Sequence, residues 1–318
     1  MLSEFDIIER FFMPRTEHTV LAGGDDAALI AVTPGMELAV SVDALVAGRH
    51  FFEDADAYGV GSKCMAVNLS DMAAMGAAPR WATLALTLPG ANPQWLEPFA
   101  RGFLDLAREY DVDLIGGDTT RGALMVCVQI MGEVPAGKAL RRSGARVGDD
   151  IWVSGTLGDA ALALAHKRGE FRLHADDLEY AVKRLERPRP RVELGRALLE
   201  RASSAIDVSD GLAGDVAHIA AASGVRAVMQ WSSIPLSSVA MRYGEHPLVR
   251  QAALAGGDDY ELAFTAPVGL RSEIDALTAK AGVSVTRIGT IEEGAGVVVT
   301  DDEGNPLTLA EAGFDHFR

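Results

Sequence analysis

Cysteine is almost missing from this chain. Cys64 and Cys127 are the only two in 318 residues, too few for a disulfide framework and suited to core packing in a reducing compartment. Long apolar runs are missing too. No segment approaches about eighteen consecutive apolar residues, and Met1-Leu2-Ser3-Glu4-Phe5-Asp6 lacks the basic-then-apolar layout of a secretory leader, so a soluble, cytoplasmic protein with no membrane contact is expected. Positive charge is in the minority: 29 Lys and Arg stand against 45 Asp and Glu, a formal net charge of -16 that disfavours nucleic acid as a partner. There is no Cys/His cluster with zinc-like spacing, and no H-R-D or D-F-G protein-kinase signature. Gly132-Glu133-Val134-Pro135-Ala136-Gly137-Lys138-Ala139 nearly matches a P-loop, but Ala139 lacks the magnesium-binding hydroxyl and no helical pattern follows.

What the chain has is glycine, 33 of them, repeatedly followed by acid, within a 48% hydrophobic composition that suits a two-domain α/β protein. Pro135 to Asp150 is rich in glycine and arginine and marks the boundary. The expected plan is a domain over 1–137, a linker over 138–150 and a second α/β domain over 151–318, with mixed sheets of the α+β kind.

The stretch Val67-Asn68-Leu69-Ser70-Asp71 poses the sharpest question. From Val60 the pattern is that of a helix apolar nearly all round, hence interior, and Asp71 lies on it with Asn68 one turn before. An unpaired carboxylate there is expensive, so either a loop or arginine partner or a metal ion should face it. Elsewhere Gly23-Gly24-Asp25-Asp26 leads into an expected strand Ala27 to Val32, either as a tight turn or as a holder for a carboxylate. Glu37 to Asp43 alternates as a strand with Ser41 and Asp43 on one face and Val42 on the other; Arg49 and His50 follow in an unusually apolar loop. Trp81 to Leu88 is a strand and Pro93 to Tyr110 a helix. Then Val112 to Ile115 forms a strand that runs into Gly116-Gly117-Asp118, where glycines let backbone approach a phosphate and the acid can take its metal.

In the second half, Ala205 to Leu212 is a strand entering a helix with Asp207, Ser209 and Asp210 at the junction, more polar groups than one helix cap uses. Gly256-Gly257-Asp258-Asp259 is the third glycine-acid junction, leading into Leu262 to Thr265. Strands over Val283 to Ile288 and Gly296 to Thr300 follow, and the aromatic tail with Phe314 should dock on its own domain. Asp26, Asp43, Asp71, Asp118 and Asp207 offer oxygen only, which suits Mg²⁺ and phosphoryl transfer.

Leu45-Val46-Ala47-Gly48-Arg49-His50-Phe51, Val67-Asn68-Leu69-Ser70-Asp71, Gly116-Gly117-Asp118-Thr119-Thr120-Arg121-Gly122, Ile206-Asp207-Val208-Ser209-Asp210-Gly211 and Gly256-Gly257-Asp258-Asp259-Tyr260-Glu261-Leu262 together resemble the thiamine-monophosphate kinase family, in the family's order and over nearly the whole chain. The resemblance implies the two-domain aminoimidazole-ribonucleotide-synthetase-like fold, with N-terminal strands building a homodimer. It implies transfer of the γ-phosphoryl of ATP to thiamine monophosphate with several Mg²⁺ ions, and K⁺ as a further cation to consider. It makes Asp26, Ser41, Val42, Asp43, Asp71, Asp118, Asp207 and Asp210 metal ligands, with Asp43, Asp71, Asp118 and Arg142 central to catalysis. Gly117, Asp118, Arg142, Ser209 and Tyr110 would contact ATP, and His50, Asp258 and Phe314 the thiamine phosphate. Val42 stands where the family often has Thr or Ser, which leaves only its carbonyl for a metal, and Asp258 stands where Glu is common. The rival readings are a relative with another acceptor, though no reactive cysteine lies near the start as in selenophosphate synthetases, and a noncatalytic nucleotide- or thiamine-phosphate-binding protein.

Overall fold

The computed structural model describes residues 3–244 and 246–308. They form two units: one runs to Met72 and resumes from Ala77 to Gly137, and the other takes Ala73–Gly76 and the chain from Lys138 onward. Among the described residues no helix is long and apolar enough to cross a membrane.

The first unit opens with α1 (Glu4–Phe11), started by a capping box in which Ser3 accepts from the Asp6 N–H and Asp6 accepts from the Ser3 N–H. β1 (Thr19–Leu21) and β2 (Leu29–Ile30) make a small antiparallel pair. The strand expected over Ala27 to Val32 is therefore only two residues long, because Gly24 takes φ +112° and the exposed bend through Ala27 uses up the segment. β3 (Met36–Val46), α2 (Ala57–Ala74), β4 (Ala78–Leu88), α3 (Pro93–Glu109), β5 (Asp113–Arg121) and β6 (Met125–Pro135) complete the unit as a four-stranded sheet in the order β3-β6-β4-β5. Only β4 and β5 run parallel.

α2 is the interior helix its pattern demanded: every residue from Gly61 to Ser70 is buried. It meets α3 backbone to backbone at two glycines. A Cβ on Gly61 would fall 2.1 Å from the Phe99 carbonyl oxygen, and one on Gly102 2.0 Å from that of Tyr58. One face of the sheet is sealed, with Val126, Val128 and Ile130 fully buried on β6. The other is open: along β3 the alternating Leu38, Val40 and Val42 are 38%, 52% and 58% exposed, and Cys127 lies half-buried on β6 rather than in the core.

The second unit contains β7 (Asp150–Ser154), α4 (Asp159–Lys167), α5 (Ala175–Glu186), α6 (Val192–Leu198), β8 (Ser204–Val208), α7 (Leu212–Ser223), β9 (Arg226–Gln230), α8 (Ser238–Arg242), α9 (Pro247–Ala255), β10 (Glu261–Ala266), α10 (Arg271–Ala281), β11 (Val285–Glu292) and β12 (Gly296–Thr300). Its six strands order β12-β9-β11-β7-β10-β8, antiparallel except for β12 with β9. Ile151, Val153, Ile206 and Val208 pack under Leu212, Val216 and Ile219 of α7. Residues 138–150 are no loose tether: Leu140 and Ala145 are buried, and the Arg141 carbonyl accepts from the Ala205 N–H at 2.9 Å.

Candidate active site

In the first unit, strand alternation turns Ser41 and Asp43 toward α2, and Ser41 Oγ donates to Asp71 Oδ2 at 2.6 Å. Asp71 is half-buried rather than deeply buried, because it sits in the last turn of α2 where the helix reaches the sheet edge. Asn68 is fully buried but does not join it: Asn68 Nδ2 donates to the Cys64 carbonyl at 2.9 Å, and its Oδ1 has no hydrogen-bond partner. Burial raises the Cys64 thiol pKa, so it is an inert packing group. Lys63 is the cation that sequence reasoning missed. It is buried, and its Nζ lies 3.4 Å from the His50 carbonyl oxygen. Its signal was a lysine inside an otherwise apolar helix. His50 accepts the Val46 N–H on Nδ1 at 3.0 Å, which assigns the proton of the neutral ring to Nε2. Val42 points to the opposite, open face, so its carbonyl alone is available to the Ser41 side.

A cavity of about 860 Å³ lies along β5, lined among others by Gly23, Gly24, Asp26, Gly116, Gly117 and Asp118, with Phe5 of α1 and Phe12 just after that helix on its wall. It unites two of the three glycine-acid junctions. The Gly-Gly-Asp segment is not a turn, however; β5 runs straight through it. Gly117 is required by strand packing, since a Cβ there would lie 1.8 Å from the Leu84 carbonyl oxygen, whereas Gly116 has open space beside it. Tyr110 does not line this cavity. It caps α3 ahead of β5, and Asp118 lies five residues into that strand from Asp113, about 16 Å at the usual rise.

Sheet register separates two acids expected to act together. Asp43 pairs with Val128, Val128 with Leu84 and Leu84 with Gly117, so Asp43 and Gly117 lie on opposite edges, three strand spacings or about 14 Å apart. Among the described residues no group of three acidic, His or Cys side chains gathers closely enough to hold a metal ion.

In the second unit, Asp207 is buried near the end of β8, Ser209 is partly exposed and Asp210 exposed. Asp215, also missed from sequence, shapes this junction: its Oδ2 accepts the N–H groups of Ser209, Asp210 and Gly211 at 3.0, 3.1 and 3.1 Å. Burial pushes its pKa up to about 7 against the pull of those donors. The 256–260 loop is tied to the same junction, with the Asp258 N–H on the Ser209 carbonyl at 2.9 Å and the Tyr260 N–H on that of Val208 at 2.8 Å. The glycines here serve backbone approach: a Cβ on Gly257 would meet the Ser209 carbonyl oxygen at 2.6 Å, and one on Gly211 the Ala255 backbone at 2.7 Å. Asp258 thus stands beside Ser209. Arg142 does not: its carbonyl accepts from Ser223 Oγ at the far end of α7, a 12-residue helix about 18 Å long. Phe314 lies outside the described residues.

Family models described as AIR synthase related protein, N-terminal domain and C-terminal domain, match residues 24–134 and 146–302. The thiamine-monophosphate kinase of Escherichia coli K12 is 45% identical over 318 residues, covering 99% of this chain and 98% of its own, and that of Bacillus subtilis 168 is 35% identical over the full length of both. Among solved structures, thiamine-monophosphate kinase from Stenotrophomonas maltophilia K279a matches at TM-score 0.86 and 47% identity over 92% of this chain and 93% of its own. AaThiL complexed with AMPPCP and TMP matches at TM-score 0.79 and 31% identity, over 90% and 89%. A hydrogenase maturation protein HypE in complex with ATP, at 21% identity and TM-score 0.75, shares the fold.

Proposed function

The chain belongs to the AIR synthase related proteins and, within them, to the thiamine-monophosphate kinases, and from that premise we propose how its residues divide the work. The reaction transfers the γ-phosphoryl of ATP to thiamine monophosphate, giving thiamine diphosphate and ADP. The observation that carries this is full-length identity to kinases of that name, together with a relative holding an ATP analogue and TMP.

The acceptor is a phosphate monoester, already anionic near neutral pH, so no general base has to create the nucleophile. The obstacle is repulsion between two anionic phosphates. Asp26, Ser41, Asp43, Asp71, Asp118, Asp207 and Asp210 offer only oxygen, a donor chemistry that fits Mg²⁺ and would admit K⁺ as well. When bound, Mg²⁺ would screen the two phosphates from each other and offset the charge of the transfer. His50 would contact the thiamine phosphate, the role that the family likeness assigns it. Gly116, with open space at its Cα, presents β5 backbone to the triphosphate beside Asp26 and Asp118. Asp258 gives the cationic thiazolium a carboxylate, and Ser209 a hydroxyl to ATP. Arg142, Tyr110 and Phe314 keep the roles that the family likeness assigns them. ATP as co-substrate is consistent with a cytoplasmic enzyme.

The working form in this reading is a homodimer. The open apolar face of β3 needs cover, and β3 and β5 are both sheet edges. Closing two sheets edge to edge would set the Asp43 edge of one copy against the Asp118 edge of the other, which supplies the donors that one chain keeps about 14 Å apart. The direct test is turnover: purified protein with ATP, Mg²⁺ and thiamine monophosphate should form thiamine diphosphate, and no product overturns the kinase assignment.

A further inference from the structure

Three residues beyond Asp258 lies a buried charge for which the reaction has no use. Glu261 opens β10 with no solvent exposure, and three separate elements converge on its carboxylate. Arg191, just ahead of α6, donates Nε to Oε2 at 2.6 Å and Nη2 to Oε1; Arg184 of α5 donates Nη2 to Oε1 at 2.9 Å; Ser154, ending β7, donates Oγ to Oε2 at 2.6 Å. The backbone makes room for this clamp, since a Cβ on Gly155 would fall 2.1 Å from Glu261 Oε1. Burial works to raise the pKa of Glu261, but Arg191 and Arg184 outweigh it and hold the group ionised.

The turn in front of the clamp is strained. Asp258 takes φ +69° and Tyr260 φ +51°, a left-handed conformation that non-glycine residues rarely adopt and that persists only when its surroundings impose it. Asp259 between them is buried, with the Gly158 N–H 3.1 and 3.0 Å from its two carboxylate oxygens. Buried anchors therefore alternate with the strained residues: 258 and 260 take the strain, 259 and 261 are gripped from below. A buried ion network seldom adds net stability over an apolar filling of equal volume, so geometry is the better account of its presence.

We propose that Glu261, Arg184 and Arg191 are positioning residues for the acceptor substrate: the clamp fixes the left-handed turn and so presents Asp258, beside Ser209, to the thiazolium of thiamine monophosphate. This rests on the reading that Asp258 contacts that substrate. Arg191→Lys keeps the charge and removes the planar fork. It should raise KM for thiamine monophosphate about tenfold or more while KM for ATP stays within about twofold. Ser154→Ala, a milder loss to the same carboxylate, should move the same constant in the same direction. In a Tyr260→Asn background, where residue 260 accepts the left-handed backbone more readily, the Arg191→Lys effect should shrink. A thermal midpoint that falls with both KM values unchanged, or both KM values rising together, overturns the proposal. Asp258→Ala in the same assay separates the two ideas. If it leaves KM for thiamine monophosphate unchanged, the substrate reading of Asp258 fails; if it raises KM and Arg191→Lys does not, only the positioning role fails.

Discussion

Ser41 and Asp71 share a 2.6 Å hydrogen bond that ties the edge strand β3 to the last turn of the interior helix α2. A carboxylate in that turn faces the negative end of the helix dipole, and no basic residue accompanies it there. The serine bond orients the Asp71 carboxylate toward β3.

Asp71→Asn should therefore separate folding from function. The amide keeps the shape and can still accept from Ser41, while the charge that opposes the dipole is gone. Turnover at limiting Mg²⁺ should fall by about a hundredfold or more, with the thermal midpoint unchanged. An Mg²⁺ titration of activity beside a thermal melt checks this, and a wild-type Mg²⁺ response would return Asp71 to a purely structural role.

The two glycines before Asp118 should respond differently to alanine. At Gly117 the new methyl group meets the Leu84 carbonyl oxygen at 1.8 Å, so β5 must shift away from β4 and the melting temperature should drop clearly. At Gly116 nothing lies within reach, so Gly116→Ala should melt like the wild type yet raise KM for ATP by intruding on the cavity. Equal melting behaviour of the two variants would contradict the packing account of Gly117.

That contrast marks where local sequence stops informing. The interior helix α2, the helix α3 and the strand Gly296–Thr300 follow from periodicity and caps, because those signals lie within the segment itself. Asp26 and Asp118 were recognisable as a pair of glycine-acid junctions, and one cavity holds both. The separation of Asp43 from Asp118 was not legible, because strand order and register depend on partners far along the chain. Glu261 was hidden for a similar reason: Arg191 lies 70 residues away and Ser154 107, so nothing nearby announces a buried carboxylate. Asp215 is nearer, but its three backbone donors exist only after the junction has turned.

Asp215 should leave a signature in the pH dependence of stability. Its folded pKa, raised by burial to about 7, exceeds the ordinary carboxylate value, so the folded state holds a proton that the unfolded chain has released. The resulting stabilisation is fully present below about pH 4 and declines as pH rises to about 7, by on the order of 4 kcal/mol. Asp215→Asn retains an acceptor for the three N–H groups and lacks the titration, so wild type should lose stability relative to it between pH 4 and 7. Asp215→Ala leaves those donors unsatisfied and should be the least stable at every pH. Denaturant melts of the three proteins across that range decide the point, and parallel curves for wild type and Asp215→Asn would refute it.

The shared-site reading of the dimer makes the most discriminating prediction. If Asp43 of one copy and Asp118 of the other serve one site, Asp43→Asn and Asp118→Asn are each nearly inactive as homodimers, because every site has lost one acid. Unfolding the two variants together and refolding them produces mixed dimers in which one site carries both substitutions and the other neither. With random pairing, about a quarter of wild-type activity should return. Val40→Lys, placed on the open face where Val40 is 52% exposed, should abolish both the dimer and the recovery. Turnover after co-refolding, with sedimentation to count the dimers, measures both. If mixed dimers form and activity stays at the level of the separate variants, the two acids act within one chain and the edge-to-edge arrangement is wrong.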